Sequence, residues 1–156
     1  MIPELIKIQG CPWPILPEGI HLATLEEVQR AFATNVCRNI LFSGLVRGAV
    51  NLADAGCLNL YLDGSFVTGK PNPGDYDACW EPTSVLFEKL DPVFLDFKNH
   101  RQAQKDKYFG EYFPSTNIAD DNGNPFIDFF QNEKHSGEKK GIIQIHLPLL
   151  KTGGSL

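Results

Sequence analysis

Residues 60–77 read Leu-Tyr-Leu-Asp-Gly-Ser-Phe-Val-Thr-Gly-Lys-Pro-Asn-Pro-Gly-Asp-Tyr-Asp, and no other stretch restricts the fold as much. Leu58, Leu60 and Leu62 alternate with other residues, the period of a buried strand over 57–63. Gly64-Ser65 follows, and residues 69–74 hold two glycines and two prolines, a turn composition. A second strand is expected over 75–80. Side chains two apart on a strand share a face, so Asp75 and Asp77 present two carboxylates side by side. Like charges that close repel unless a cation sits between them or one takes a proton. Hard oxygen ligands of this kind suit Mg²⁺, which favours carboxylates together with substrate phosphates. Gly64 lets the backbone approach a phosphate closely, and the Ser65 hydroxyl and N–H can donate to its oxygens.

The remainder of the chain reads as one α/β (α+β) domain with a small mixed sheet. Its 156 residues suit a single core, and 42% hydrophobic with 21% charged residues is globular composition. No apolar run approaches the ~20 residues that span a bilayer, and residues 1–4 do not open a secretory signal. The net charge of −5 argues against a surface that clamps nucleic acid throughout, but not against a local basic patch. Cysteines 11, 37, 57 and 79 form no C-x-x-C pair, so zinc is not expected. Reduced, structural thiols in a cytoplasmic protein are the expectation.

Pro3, Pro12, Pro14 and Pro17 predict an extended arm over 1–23, ahead of a body at 24–150 and a frayed tail at 151–156. Thr24 and Glu27 form a capping box that opens a helix, and a second helix is predicted over 35–54, with Gly56 as its C′ residue. Beyond residue 80 the pattern predicts a short helix over 83–90, a third strand over 93–97 and a polar helix over 98–108. A loop follows at 114–125, then a short helix within 124–131 and a final strand at 141–147.

Asp96 is the only polar residue in Val93-Phe-Leu-Asp-Phe97. A buried unpaired carboxylate is costly, so Asp96 is expected either to complete a two-metal site or to stand at a strand end facing water. Lys98, His100, Arg101, Lys105 and Lys107 form a basic segment that either neutralises a polyphosphate or is a solvated helix face. Lys139 and Lys140 are expected to face solvent at a turn. Phe109, Tyr112 and Phe113 read as core before base-stacking residues. The four histidines show no ligand spacing. Asp63 either orients the Gly64-Ser65 loop or merely ends the strand.

Strand, Gly64-Ser65, nine residues, Asp75-x-Asp77 and a later carboxylate at Asp96 together resemble the nucleotidyltransferase superfamily that includes DNA polymerase beta, specifically its minimal prokaryotic members. The wider chain is similar to a poorly characterised branch of that fold. It shares Leu-Pro-x-Gly-Ile-His at 16–21, Asp-Gly-Ser-Phe-Val-Thr at 63–68, Leu-Asp-Phe at 95–97, Phe-Gly-Glu-x-Phe-Pro at 109–114 and Lys-Gly-Ile-Ile at 140–143. The resemblance implies an NTP substrate and Mg²⁺, two ions with Mn²⁺ as a substitute, held by Asp75, Asp77 and Asp96. Gly64, Ser65, Thr68 and Lys70 would hold the phosphates. The superfamily's minimal members act on macromolecular acceptors, as antitoxin-like partners that modify a toxin protein or as tRNA-modifying enzymes. One departure is plain: many such enzymes carry Arg after Gly-Ser, and here Phe66 stands in its place.

The resulting expectation is Mg²⁺-dependent transfer of a nucleoside monophosphate from an NTP, such as ATP, onto a hydroxyl of a macromolecule. The alternative is a non-catalytic binding module on the same fold. A dehalogenase-type phosphatase starting at Asp63 fails, because that chemistry needs an Asp two residues later and position 65 is Ser.

Overall fold

The computed structural model describes residues 1–151, so most of the tail expected at 151–156 lies outside the described residues. It is a mixed α+β fold in one compact domain. A five-stranded sheet runs β1 (Gly19–Leu22), β5 (Gly141–His146), β2 (Asn59–Asp63), β3 (Tyr76–Trp80) and β4 (Gly110–Pro114) from edge to edge. β1 is parallel to β5, β5 and β3 both run antiparallel to β2, and β4 is parallel to β3.

Two helices cover one face. In α1 (Leu25–Phe32), the Thr24 hydroxyl accepts from the Glu27 N–H while Glu27 accepts from the Thr24 N–H, closing the capping box. Asn35 caps α2 (Val36–Asp54) through the Arg38 N–H. Leu41, Leu45, Ala49 and Leu52 of α2 pack on Leu60, Leu62, Tyr76, Ala78, Tyr112 and Ile143 of the sheet. Gly44 and Gly48 lie one turn apart where Tyr108 and Tyr112 press against the helix, leaving no room for a Cβ. The opposite face holds the smaller cluster of Tyr61, Cys79, Phe130 and Ile142, partly roofed by α4 (Phe126–Phe129). A last turn, α5 (Pro148–Lys151), follows β5.

Two predicted elements change form. The strand expected over 93–97 is a 3-10 turn, Pro92–Leu95. Pro92 fixes its first φ, and Asp91 Oδ1 accepts from the Val93 N–H at 3.1 Å; only Phe94 of this stretch is fully buried. The helix expected over 83–90 shrinks to a 3-10 turn, Phe87–Lys89. Within the arm expected to be extended, Gly19–Leu22 is an edge strand paired with β5, a strand that was not predicted. A second strand also went unpredicted. β4 follows α3 (Lys98–Tyr108), which crosses from β3 to make a β-α-β unit with parallel strands.

Candidate functional site

The alternation that buries Leu62, Tyr76 and Tyr112 on the helix-covered face turns their neighbours Asp63, Asp77 and Glu111 to the other. Register then aligns them. Asp63 lies opposite Asp77, and Asp77 lies opposite Glu111, so three acids form a row across β2, β3 and β4. Asp75, two residues before Asp77, joins the row, and carboxylate oxygens of Asp75, Asp77 and Glu111 lie within 4.8 Å of one another.

Cations stand at both ends of this row. The Lys140 ammonium ion-pairs with Asp63, whose side chain is 9% exposed. Arg101 and Lys105 of α3 each reach Glu111 Oε1 at 3.1 Å. Among the described residues, neither Asp75 nor Asp77 has a basic side chain at ion-pair distance. Burial, then the charges of Asp75 and Glu111, pushes the Asp77 carboxyl up to about 7. Burial and Glu111 raise Asp75 as well. Burial pushes Glu111 the same way, but the Lys105 hydrogen bond and the Arg101 charge outweigh it and hold Glu111 below its usual range. Burial lowers the Lys140 ammonium to about 8.

Asp63, Asp75 and Asp77 of this row floor a cleft of about 660 Å³ whose wall is the loop after β2. Gly64 adopts φ +84°, and a Cβ there would meet Asp77 Oδ2 at 3.0 Å, so glycine allows the loop to pass directly over the carboxylate. Buried Arg38 holds the loop from behind. Its guanidinium donates to the carbonyls of Phe66 (2.7 Å), Thr68 (2.8 Å), Lys70 (2.5 Å) and Ser65 (3.5 Å), and to Phe32 (3.0 Å). The Ser65 and Phe66 amides begin a 3-10 turn, where N–H groups have no intrahelical partner.

Gly64, Ser65, Thr68, Lys70, Asp75 and Asp77 all line the cleft. The Thr68 hydroxyl, however, is engaged within the loop: it donates to the Ser65 carbonyl at 2.7 Å and accepts from the Lys70 N–H at 3.1 Å. Phe66 is fully buried between Phe32 and Tyr76, on the far side of the loop from the carboxylates. No side chain at position 66 could meet a phosphate in this conformation.

Asp96 is a correction. It ends the 3-10 turn, and its carboxylate accepts from the Lys98 N–H at 3.1 Å rather than joining the acidic row. Glu111 holds the place expected for Asp96, because the strand parallel to β3 is β4 and not residues 93–97. The period-2 pattern of Gly110–Pro114 and the acid in Phe-Gly-Glu were the available signals. Lys140 is a second correction: its side chain is 12% exposed and lies in the cleft, not in solvent. Arg101 is delivered to Glu111 through an unusual backbone, since Asn99, His100 and Arg101 all have positive φ between 52° and 61°.

Three half-buried hard oxygen donors, two of them without a basic side chain at ion-pair distance among the described residues, suit a divalent cation. Beside the cleft runs an apolar groove of about 730 Å³, lined by Val36, Ile40, Leu41, Pro73 and Phe109, and sharing Gly74 and Asp75 with it. Among the described residues, no helix is long and apolar enough to cross a membrane. Residues 12–146 match a family described as of unknown function, DUF6932. No curated protein and no solved structure matches the chain.

Proposed function

The chain belongs to DUF6932, and we propose that it is a metal-dependent nucleotidyltransferase that moves a nucleoside monophosphate from an NTP to a hydroxyl of a macromolecule. The observation that carries this reading is the charge order across the sheet. The outer acids, Asp63 and Glu111, have their own cations, whereas Asp75 and Asp77 converge with Glu111 and have none at ion-pair distance among the described residues. A divalent cation, Mg²⁺ or Mn²⁺, would be held by Asp75, Asp77 and Glu111, neutralise them and stabilise charge on the phosphates.

The protein's own residues supply position. The Gly64-Ser65 turn receives the β- and γ-phosphates through its amides and the Ser65 hydroxyl. Lys70 adds a cation in the same cleft. The acceptor oxygen forms a bond to the α-phosphorus, the bond from that phosphorus to pyrophosphate breaks, and the hydroxyl proton passes to a carboxylate of the trio. Attack opposite the leaving group needs an approach from the far side of Asp75. The apolar groove that shares Asp75 offers it. Its lining of Val36, Ile40, Leu41, Pro73 and Phe109 favours a protein segment over tRNA as acceptor, because a polyanion needs cations, and the groove's Lys105 is already paired with Glu111.

The internal ion pairs of Glu111 and Asp63 also favour a second reading, a binding module that has kept the fold without catalysis. A thermal-shift series separates the two. With ligand at ten times its Kd, Mg²⁺ plus an NTP should stabilise the protein by about 1.4 kcal/mol, roughly 3–6 °C, and Asp75→Asn or Asp77→Asn should abolish that gain. No shift with any NTP, or equal shifts in the variants, leaves the binding module.

A further inference from the structure

The two tryptophans have opposite surroundings. Trp80 is fully buried in the main core. Trp13 belongs to neither buried cluster, yet the chain holds it firmly at the wall of the cleft. Two anchors do this. Ile6 and Ile15 exchange backbone hydrogen bonds at 2.8 and 2.9 Å, folding the arm back so that Trp13 lies near the bend. The Gly69 N–H then donates to the Pro14 carbonyl at 2.9 Å, and the Pro14 ring packs so closely that a Cβ on Gly69 would sit 2.9 Å from it. The arm is thus fastened to the same loop that carries Gly64 and Ser65. Lys70 Nζ stands over one face of the Trp13 ring, 5.3 Å from its centroid, so a stacking base would take the other face or displace the ammonium.

A half-buried aromatic ring fixed at the wall of a polar cleft is placed to meet whatever occupies that cleft. Its corner offers a π surface next to a cation, the pair of features that a base and a phosphate require. Phe129 and His135 line the same cleft, so the aromatic character extends beyond one residue. A cleft of about 660 Å³ falls within the range of small-molecule sites.

Resting on the reading of this cleft as a metal–nucleotide site, we infer that Trp13 is the platform on which the nucleobase of the NTP stacks. Binding energy then divides between two parts of the cleft. The carboxylates and the Gly64-Ser65 turn hold the metal and phosphates, and the N-terminal arm holds the base. Stacking accepts any base but gains most from the larger face of a purine, so ATP and GTP bind more tightly than CTP and UTP.

Two probes separate the halves: Mg·ATP, which has a base, and Mg·tripolyphosphate, which has none. Both are titrated against wild type, Trp13→Phe and Trp13→Leu, by calorimetry and by tryptophan emission. Trp13→Leu should bind Mg·ATP roughly 5- to 150-fold more weakly, the span of one base–aromatic stack, and Trp13→Phe should retain most of the affinity. Mg·tripolyphosphate should bind all three alike. Mg·ATP should also change the wild-type emission and leave that of Trp13→Leu unaltered, since Trp80, whose emission also reports that the variant is folded, is sealed in the core. Equal Mg·ATP affinity in wild type and Trp13→Leu overturns the inference while the metal–nucleotide reading stands. Failure of both probes to bind wild type overturns both.

Discussion

The two faces of the sheet are built from the same strands and do opposite things. Leu62, Tyr76 and Tyr112 point to the helices and are sealed; Asp63, Asp77 and Glu111, each the next residue along or the one before, point to the other face, where Asp63 and Asp77 line the cleft. On the sealed face the tyrosine hydroxyls satisfy one another, the Tyr76 and Tyr112 hydroxyls meeting at 2.6 Å and the Tyr108 carbonyl accepting from Tyr76 at 2.7 Å, and the Trp80 indole N–H is the buried side-chain group left without a partner among the described residues. On the cleft face burial and like charge are left partly uncompensated at Asp75 and Asp77. Stability is concentrated on one side and stored electrostatic repulsion on the other, one residue away. Substitution on the two faces should therefore have effects of opposite sign.

The most severe test is Phe66→Arg, which places a basic residue directly after Gly64-Ser65. Position 66 faces the core, beside the Arg38 guanidinium, whose carbon lies 5.5 Å from the ring centroid. An unpaired charge there should cost about 4 kcal/mol or more, lowering Tm by roughly 8–16 °C, with no gain in Mg·ATP affinity. A variant of wild-type stability that binds nucleotide more tightly would place position 66 on the cleft side and break the comparison. Leu62→Ala, on the sealed face, should cost about 2–5 kcal/mol in urea unfolding and leave the Mg²⁺ response of the remaining folded protein intact.

Asp77→Asn should act in the opposite direction. A carboxyl raised in the folded state binds its proton more tightly there than in the unfolded chain. Metal-free stability therefore falls as pH rises from about 4 to about 7, and stays low above. Glu111, held low by Lys105 and Arg101, contributes with the other sign, its stabilisation being lost only as pH falls through its lowered folded value. Asp77→Asn should flatten the decline between pH 4 and 7 and gain about 1–3 kcal/mol at pH 8, read by denaturation at a series of pH values. A steeper decline in the variant would show that Asp77 is compensated after all. The smallest effect belongs to Thr24→Ala. Loss of the capping box should cost about 1 kcal/mol, with nucleotide binding unchanged, because α1 lies on the sealed face away from the cleft.

Short-range pattern in the sequence was enough for much of this molecule. α1 and α2 announce themselves by caps and apolar spacing, β2, β3 and β5 by alternation, and the Asp75–Asp77 pair by the two-residue repeat of a strand. Each depends on residues within a turn or two of one another, so local physics specifies it. The rest was decided by which elements lie side by side. Asp96 and Glu111 are both acids among apolar neighbours, and only the parallel pairing of β4 with β3 chooses Glu111. Lys140 becomes a buried partner because Asp63, 77 residues earlier, is brought to it by the pairing of β2 with β5. Phe66 turns inward, and the loop holds its shape, because Arg38 gathers the loop carbonyls from a helix some 27 to 32 residues away. Alternation along a strand is a property of the chain, whereas the neighbour across the sheet, and with it the charge a carboxylate feels, is a property of the fold.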